Sequence, residues 1–106
     1  MINENKYIRQ QIIELIQRVE MIKYNTIMTS INVVPLVDEF NQIVSDEFKK
    51  HQNLAHTSIQ NYNQIIYYEL LQLLTKRPMY RINFGNKIQY FNFYHKELHN
   101  ALTAMN

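Results

Sequence analysis

The segment MYRINFGNKIQYFNFYHKELHNALTAM, residues 79–105, decides the fold because two backbones can be read from it. In one, Tyr80, Ile82 and Phe84 alternate with Arg81 and Asn83, Gly85-Asn86 turns the chain, and Ile88 and Tyr90 alternate with Gln89, as in a hairpin. In the other, Ile88, Phe91, Tyr94, His95, Leu98, Leu102 and Met105 recur at helical spacing behind Asn86 as a cap. The helical repeat runs unbroken to residue 105. It predicts a short extended or looped stretch at 79–84 and a helix over about 87–104.

Working back toward the N-terminus, Pro78 stops a preceding helix that Lys76 and Arg77 close with favourable charge. Thr57-Ser58-Ile59-Gln60 matches a capping box, in which hydroxyl and amide side chains satisfy the first backbone donors, so this third helix is predicted from Ser58 to about Thr75. Ile59, Tyr62, Ile65, Ile66, Leu70, Leu71, Leu73 and Leu74 cover more than one of its faces, which predicts a central position with neighbours on two sides. A second helix opens near Pro35, because a residue before proline is pushed from the helical region and proline suits a first turn. Val37, Phe40, Val44 and Phe48 form its stripe, with Asp38 and Glu39 toward the start and Lys49 and Lys50 toward the end. The apolar-poor stretch 51–56 is read as its break. Residues 4–24 carry Ile8, Ile12, Leu15, Ile16, Val19 and Ile22 on one helical face, with Asn3 as a cap and Ile27, Met28 and Ile31 able to prolong the helix by a turn or two. Stripes of this kind must bury against each other. The expected architecture is all-α: a four-helix, bundle-like single domain over residues 1–106, with a short hairpin or extended loop at 79–86.

Composition removes several classes of function. One glycine in 106 residues excludes the glycine-rich phosphate cradles, and the lack of cysteine excludes thiolate zinc sites, iron–sulfur clusters, disulfides and cysteine nucleophiles. No apolar run reaches the roughly 20 residues that span a bilayer, and no signal-peptide pattern is present, so a cytoplasmic location is the expectation. Asn and Gln together supply 22 residues and Ile 14, the bias of an AT-rich genome, bacterial or phage.

Candidate sites follow from charge and from titratable side chains. His95 and His99 stand four apart on one face of the last helix, the spacing by which helical pairs reach a metal ion. Two ligands do not complete a site, the supplements nearest in sequence are His51 and His56, and no metal or other cofactor is expected. Asp38, Glu39, Asp46 and Glu47 are the only dense carboxylates, and their face is read as solvated. Ser30, Ser45 and Ser58 lack nucleophile-elbow glycines, and Tyr67, Tyr68 and Tyr90 read as core edges with wet hydroxyls. Enzyme activity is not expected.

The formal charge of +2 is uneven: residues 1–50 net −1, while residues 76–96 hold Lys76, Arg77, Arg81, Lys87 and Lys96 and no acid. Interleaved with Tyr80, Phe84 and Tyr90, these cations beside flat rings suit phosphates and bases, which makes a nucleic-acid-binding regulator the alternative reading. The favoured reading is a protein-interaction module of inhibitor, immunity or adaptor type, docking on a protein partner through Tyr80, Arg81, Phe84, Lys87 and Tyr90. A homodimer through a surplus apolar face of the first or third helix is a further expectation.

Overall fold

Apolar side chains spaced three and four apart generate four helices: α1 (Glu4–Met28), α2 (Val34–Ala55), α3 (Tyr62–Lys76) and α4 (Lys87–Ala104). The computed structural model describes residues 4–55, 61–79 and 87–105, and all regular secondary structure among them is helical. The expected cap Asn3, the capping box at 57–60 and the first arm and turn of the alternative hairpin lie outside the described residues. Its second arm is excluded, because residues 87–90 form the first turn of α4.

The helix ends show which local rules prevailed. α1 runs to Met28, and the Thr26 and Thr29 hydroxyls donate to the Ile22 and Asn25 carbonyls, each at 2.7 Å, which satisfies acceptors in its last turns. The Val37 N–H donates to the Val33 carbonyl at 3.0 Å, so α2 opens one residue before Pro35, in a first turn that has no need of a proline N–H. α2 ends at Ala55, inside the 51–56 stretch read as the break, and its His51 occupies an interior position, only 3% exposed. α3 starts later than Ser58: Asn61 has an extended backbone, and its side chain accepts from the Asn63 N–H at 2.9 Å, making Asn61 the N-cap.

Cross-helix contacts fix the topology. Tyr7 meets Glu47 while Arg18 meets Glu39, so α1 and α2 are antiparallel. Phe48, in the C-terminal half of α2, stacks on Tyr68 and Asn41, in its N-terminal half, reaches Met79 just past α3, so α2 and α3 are antiparallel. Arg9 donates to the Leu102 carbonyl while Glu20 meets His95, which reverses α4 against α1. The result is an up-down-up-down bundle in which α1 packs most extensively on α4, α2 on α3, and α3 touches all three partners. Ile8, Ile12, Leu15, Val19 and Ile22 of α1 meet Phe40 and Val44 of α2, Tyr67, Leu71 and Leu74 of α3, and Phe91, Tyr94 and Leu98 of α4 in one core. Each such side chain contributes roughly 1.5–3 kcal/mol on burial. The Phe40 and Tyr94 rings meet edge to face at 6.0 Å across the interior. Tyr62 and Ile65 of the α3 set remain exposed, so the apolar coverage of that helix is wider than its buried surface.

One side chain pins the chain as it leaves α3. The Asn41 amide accepts from the Met79 N–H at 2.8 Å and donates to the Met79 carbonyl at 2.7 Å. Met79 is fully buried, so these two backbone groups depend on Asn41 for satisfaction. Asn41→Ala is expected to destabilise the fold by about 1–3 kcal/mol, the cost of orphaning buried backbone groups. Asn41→Asp, which keeps the acceptor but loses the donor, should lie between the two in urea denaturation. Parent-like stability of Asn41→Ala would show that water replaces the clamp.

Candidate functional site

The surface expected from the sequence is only partly described. Tyr80, Arg81 and Phe84 lie outside the described residues, and Lys87 and Tyr90 are placed only as backbone in the first turn of α4. Lys76, Arg77 and Lys96 are exposed. Arg77 already serves the fold: its N–H caps the Leu73 carbonyl at 3.1 Å, its carbonyl accepts from the Tyr94 hydroxyl at 3.0 Å, and its guanidinium lies 5.3 Å from the centre of the Phe93 ring. Three candidate features stand on described residues instead.

The first is a buried polar cluster around Glu47. Phe40, Val44, Glu47 and His51 follow each other by four, three and four residues, so one interior stripe of α2 ends in a carboxylate and an imidazole. Glu47 is therefore buried rather than part of a solvated acidic face, whereas Asp38, Glu39 and Asp46 are exposed. It accepts from the Tyr67 hydroxyl at 2.7 Å and from the Tyr7 hydroxyl at 3.1 Å. Lys50 donates to the Tyr7 oxygen at 3.2 Å, and the His51 ring meets the Tyr67 ring edge-on at 4.9 Å. The Tyr67 hydroxyl is not wet, as core-edge packing would make it: burial first, and the Glu47 carboxylate second, hold this phenol far above its ordinary pKa. The cluster joins α1, α2 and α3 through donors matched to one acceptor.

The second feature lies on the α1–α4 face. His95 and His99 bring their Nε2 atoms to 3.2 Å, and Glu20 of α1 places Oε1 3.0 Å from His95 Nε2. The sequence supplies the histidine pair. It does not supply Glu20, which comes from a helix 75 residues away. His51, expected as the nearest supplement, lies on α2 against Tyr67, and His56 lies outside the described residues.

The third feature is an apolar knuckle where α1 turns into α2. Met21, Tyr24, Ile27, Met28, Ile31 and Val34 are 43–66% exposed, and six of the eight large exposed apolar side chains of the described residues fall in this stretch. Polar side chains hold the backbone beneath it. The Thr29 hydroxyl accepts from the Ile31 N–H at 3.3 Å, and the Asn32 side chain accepts from the Val34 N–H at 3.1 Å.

The chain matches no family model, no curated protein and no solved structure. Chemistry and exposure therefore carry the functional reading.

The Tyr67 phenol has a signature in alkali. The folded protein keeps its proton, whereas the unfolded chain releases it near pH 10, so this residue's contribution is intact below that pH and falls as pH rises above it. Tyr67→Phe is expected to cost about 1–3 kcal/mol at neutral pH through the lost bond to Glu47 and to flatten the alkaline loss. Urea denaturation at neutral pH and above pH 10 measures both, and equal alkaline slopes would show that the phenol meets water.

Proposed function

We propose that this protein is a non-catalytic protein-interaction module, an accessory protein of adaptor, inhibitor or immunity type. It docks through the knuckle at 21–34, and in the isolated protein that knuckle is covered by a second copy of the chain. The observation that carries the reading is the run of large apolar side chains left in water at one end of the bundle. Scattered exposed apolar residues need no explanation, but a contiguous group held by an ordered turn is the usual mark of a contact surface.

Three properties favour a second copy as the occupant. Residues 24–37 carry no charge, so the patch meets itself without like-charge repulsion. Lys23 precedes the neutral run and Asp38 follows it, and a two-fold axis exchanges the basic end of one run for the acidic end of the other. Six large side chains at about half exposure offer on the order of 600 Å² per copy, so a pair buries roughly 1,200 Å², the lower bound of stable interfaces. The surface proposed here is the α1–α2 turn, which lies at the end of the bundle where α3 finishes and α4 begins, whereas Tyr80, Arg81 and Phe84 of the expected stretch lie outside the described residues.

The catalytic reading gains no support from the polar cluster. Glu47, its one buried carboxylate, accepts from two tyrosine hydroxyls that tie it to α1 and α3 and is a structural acceptor in this proposal.

The test is the solution mass. The parent is expected to be dimeric at tens of micromolar by light scattering, and Tyr24→Ser with Ile31→Ser should weaken the dimer at least tenfold, about 1.4 kcal/mol. The double variant should keep the parent's helical circular dichroism, because both side chains are already exposed. A parent that stays monomeric, or a dimer unmoved by the double variant, overturns the assignment.

A further inference from the structure

We propose that Glu20, His95 and His99 form a binding site for a divalent transition-metal ion of the imidazole-preferring class, with zinc as its representative, that bridges α1 and α4. The three side chains each offer one ligand atom, and these atoms lie within 4.8 Å of one another. His95 Nε2 is 3.0 Å from Glu20 Oε1 and 3.2 Å from His99 Nε2. Around a metal with bonds of about 2.1 Å, neighbouring ligand atoms stand about 3.0 Å apart in octahedral and about 3.4 Å apart in tetrahedral geometry. These two separations fall at or within those values, and the third pair, Glu20 Oε1 and His99 Nε2, lies within 4.8 Å, so the carboxylate closes the site by a small side-chain rotation.

Proton bookkeeping supports the same reading. A neutral imidazole carries one hydrogen, so a hydrogen on His95 Nε2 serves either the Glu20 carboxylate or the His99 nitrogen, and the other contact is left poorly satisfied. If His95 Nε2 carries none, its lone pair faces a carboxylate oxygen. A cation among the three atoms takes a lone pair from each, with both imidazoles neutral and their hydrogens on Nδ1.

The placement on the fold is favourable. His95 and His99 share one face of α4 because they are four residues apart, their ring centres are 4.3 Å apart, and the α1–α4 packing presents Glu20 to that face. The His95 and Glu20 side chains are 42% and 56% exposed and His99 is exposed, so an ion enters without opening the core and completes its shell with water. Because the ligands come from two helices, a bound ion ties together the most extensive helix pair and stabilises the folded state by mass action. This inference is independent of the proposed dimer: it rests on different side chains, and its readout is taken on either oligomer.

The experiment is a zinc chloride titration of untagged, chelator-stripped protein, followed by calorimetry and by thermal melting, with magnesium as a control. One zinc per chain, a melting temperature raised by several degrees and no response to magnesium are expected. His99→Ala and His95→Ala should each weaken zinc binding at least tenfold, and Glu20→Gln several-fold. His99 is exposed, so its variant should keep the parent's circular dichroism and melting temperature without metal; cobalt(II) adds a visible absorption band in the parent that this variant loses. Absence of a zinc response in the parent, or zinc binding unchanged in both histidine variants, overturns the site. Binding unchanged in Glu20→Gln alone overturns the bridge between helices.

Discussion

A carboxylate inside a helical bundle has to be met by donors, and the donors on its own helix cannot all reach it. Glu47 sits where the stripe of α2 calls for an apolar residue, and it is met by Tyr7 of α1 and Tyr67 of α3. A slip of either partner along its axis would withdraw a hydroxyl and leave a buried acceptor unsatisfied, at a cost of about 1–3 kcal/mol or more for a charged group. Apolar contacts tolerate such slips far better, because Leu against Ile one turn out of place is still Leu against Ile. The cluster thus sets the register of three helices at one end of the bundle, and Phe40 against Tyr94 and Asn41 against Met79 set it toward the other. α4 is aligned on α1 by Arg9 with Leu102 and by Glu20 with His95.

Much of the architecture was legible in the sequence because it depends on spacing alone. The apolar repeat from Ile88 to Met105 placed α4 within a residue at both ends, and the repeat from Ile8 to Ile22 placed the interior face of α1. The errors have a common physical origin. The apolar-poor stretch 51–56 holds the end of α2 at Ala55, but the helix enters it further than an apolar stripe indicates, with His51 buried against the Tyr67 ring. The threonine and glutamine of the capping-box motif lie at 57 and 60, but Asn61 is the cap, since a side chain that reaches the second N–H ahead of it is enough to start a helix. Local motifs compete, and tertiary contacts choose among them.

The candidate sites were less legible for a different reason. The His95 and His99 pair is visible as a four-residue spacing, but its third member is supplied by the packing of α1 on α4, which no local pattern encodes. The stripe carrying Glu47 and His51 was available as the continuation of Phe40 and Val44. Polar identity hid it, because a stripe is traced by its apolar members. Ile27 and Met28 prolong α1 as their spacing allows, but spacing does not say whether a neighbour covers them, and they and Ile31 remain exposed.

That last outcome also separates what the knuckle does for folding from what holds it. Side chains exposed in both folded and unfolded states contribute little hydrophobic stabilisation, so Met28, Ile31 and Val34 do not account for the order of the turn beneath them. The hydroxyls of Thr26 and Thr29 and the amide of Asn32 account for it, through bonds to the backbone within four residues. Order maintained by local polar bonds, under apolar groups that stay about half exposed, means that a partner meeting this surface finds the backbone already arranged. The conformational entropy of closing the turn is then spent in folding rather than in association. Glu20 and Tyr24 are one turn apart on α1, so the Glu20–His95–His99 cluster and the apolar knuckle share a single helix, held in place by its buried face.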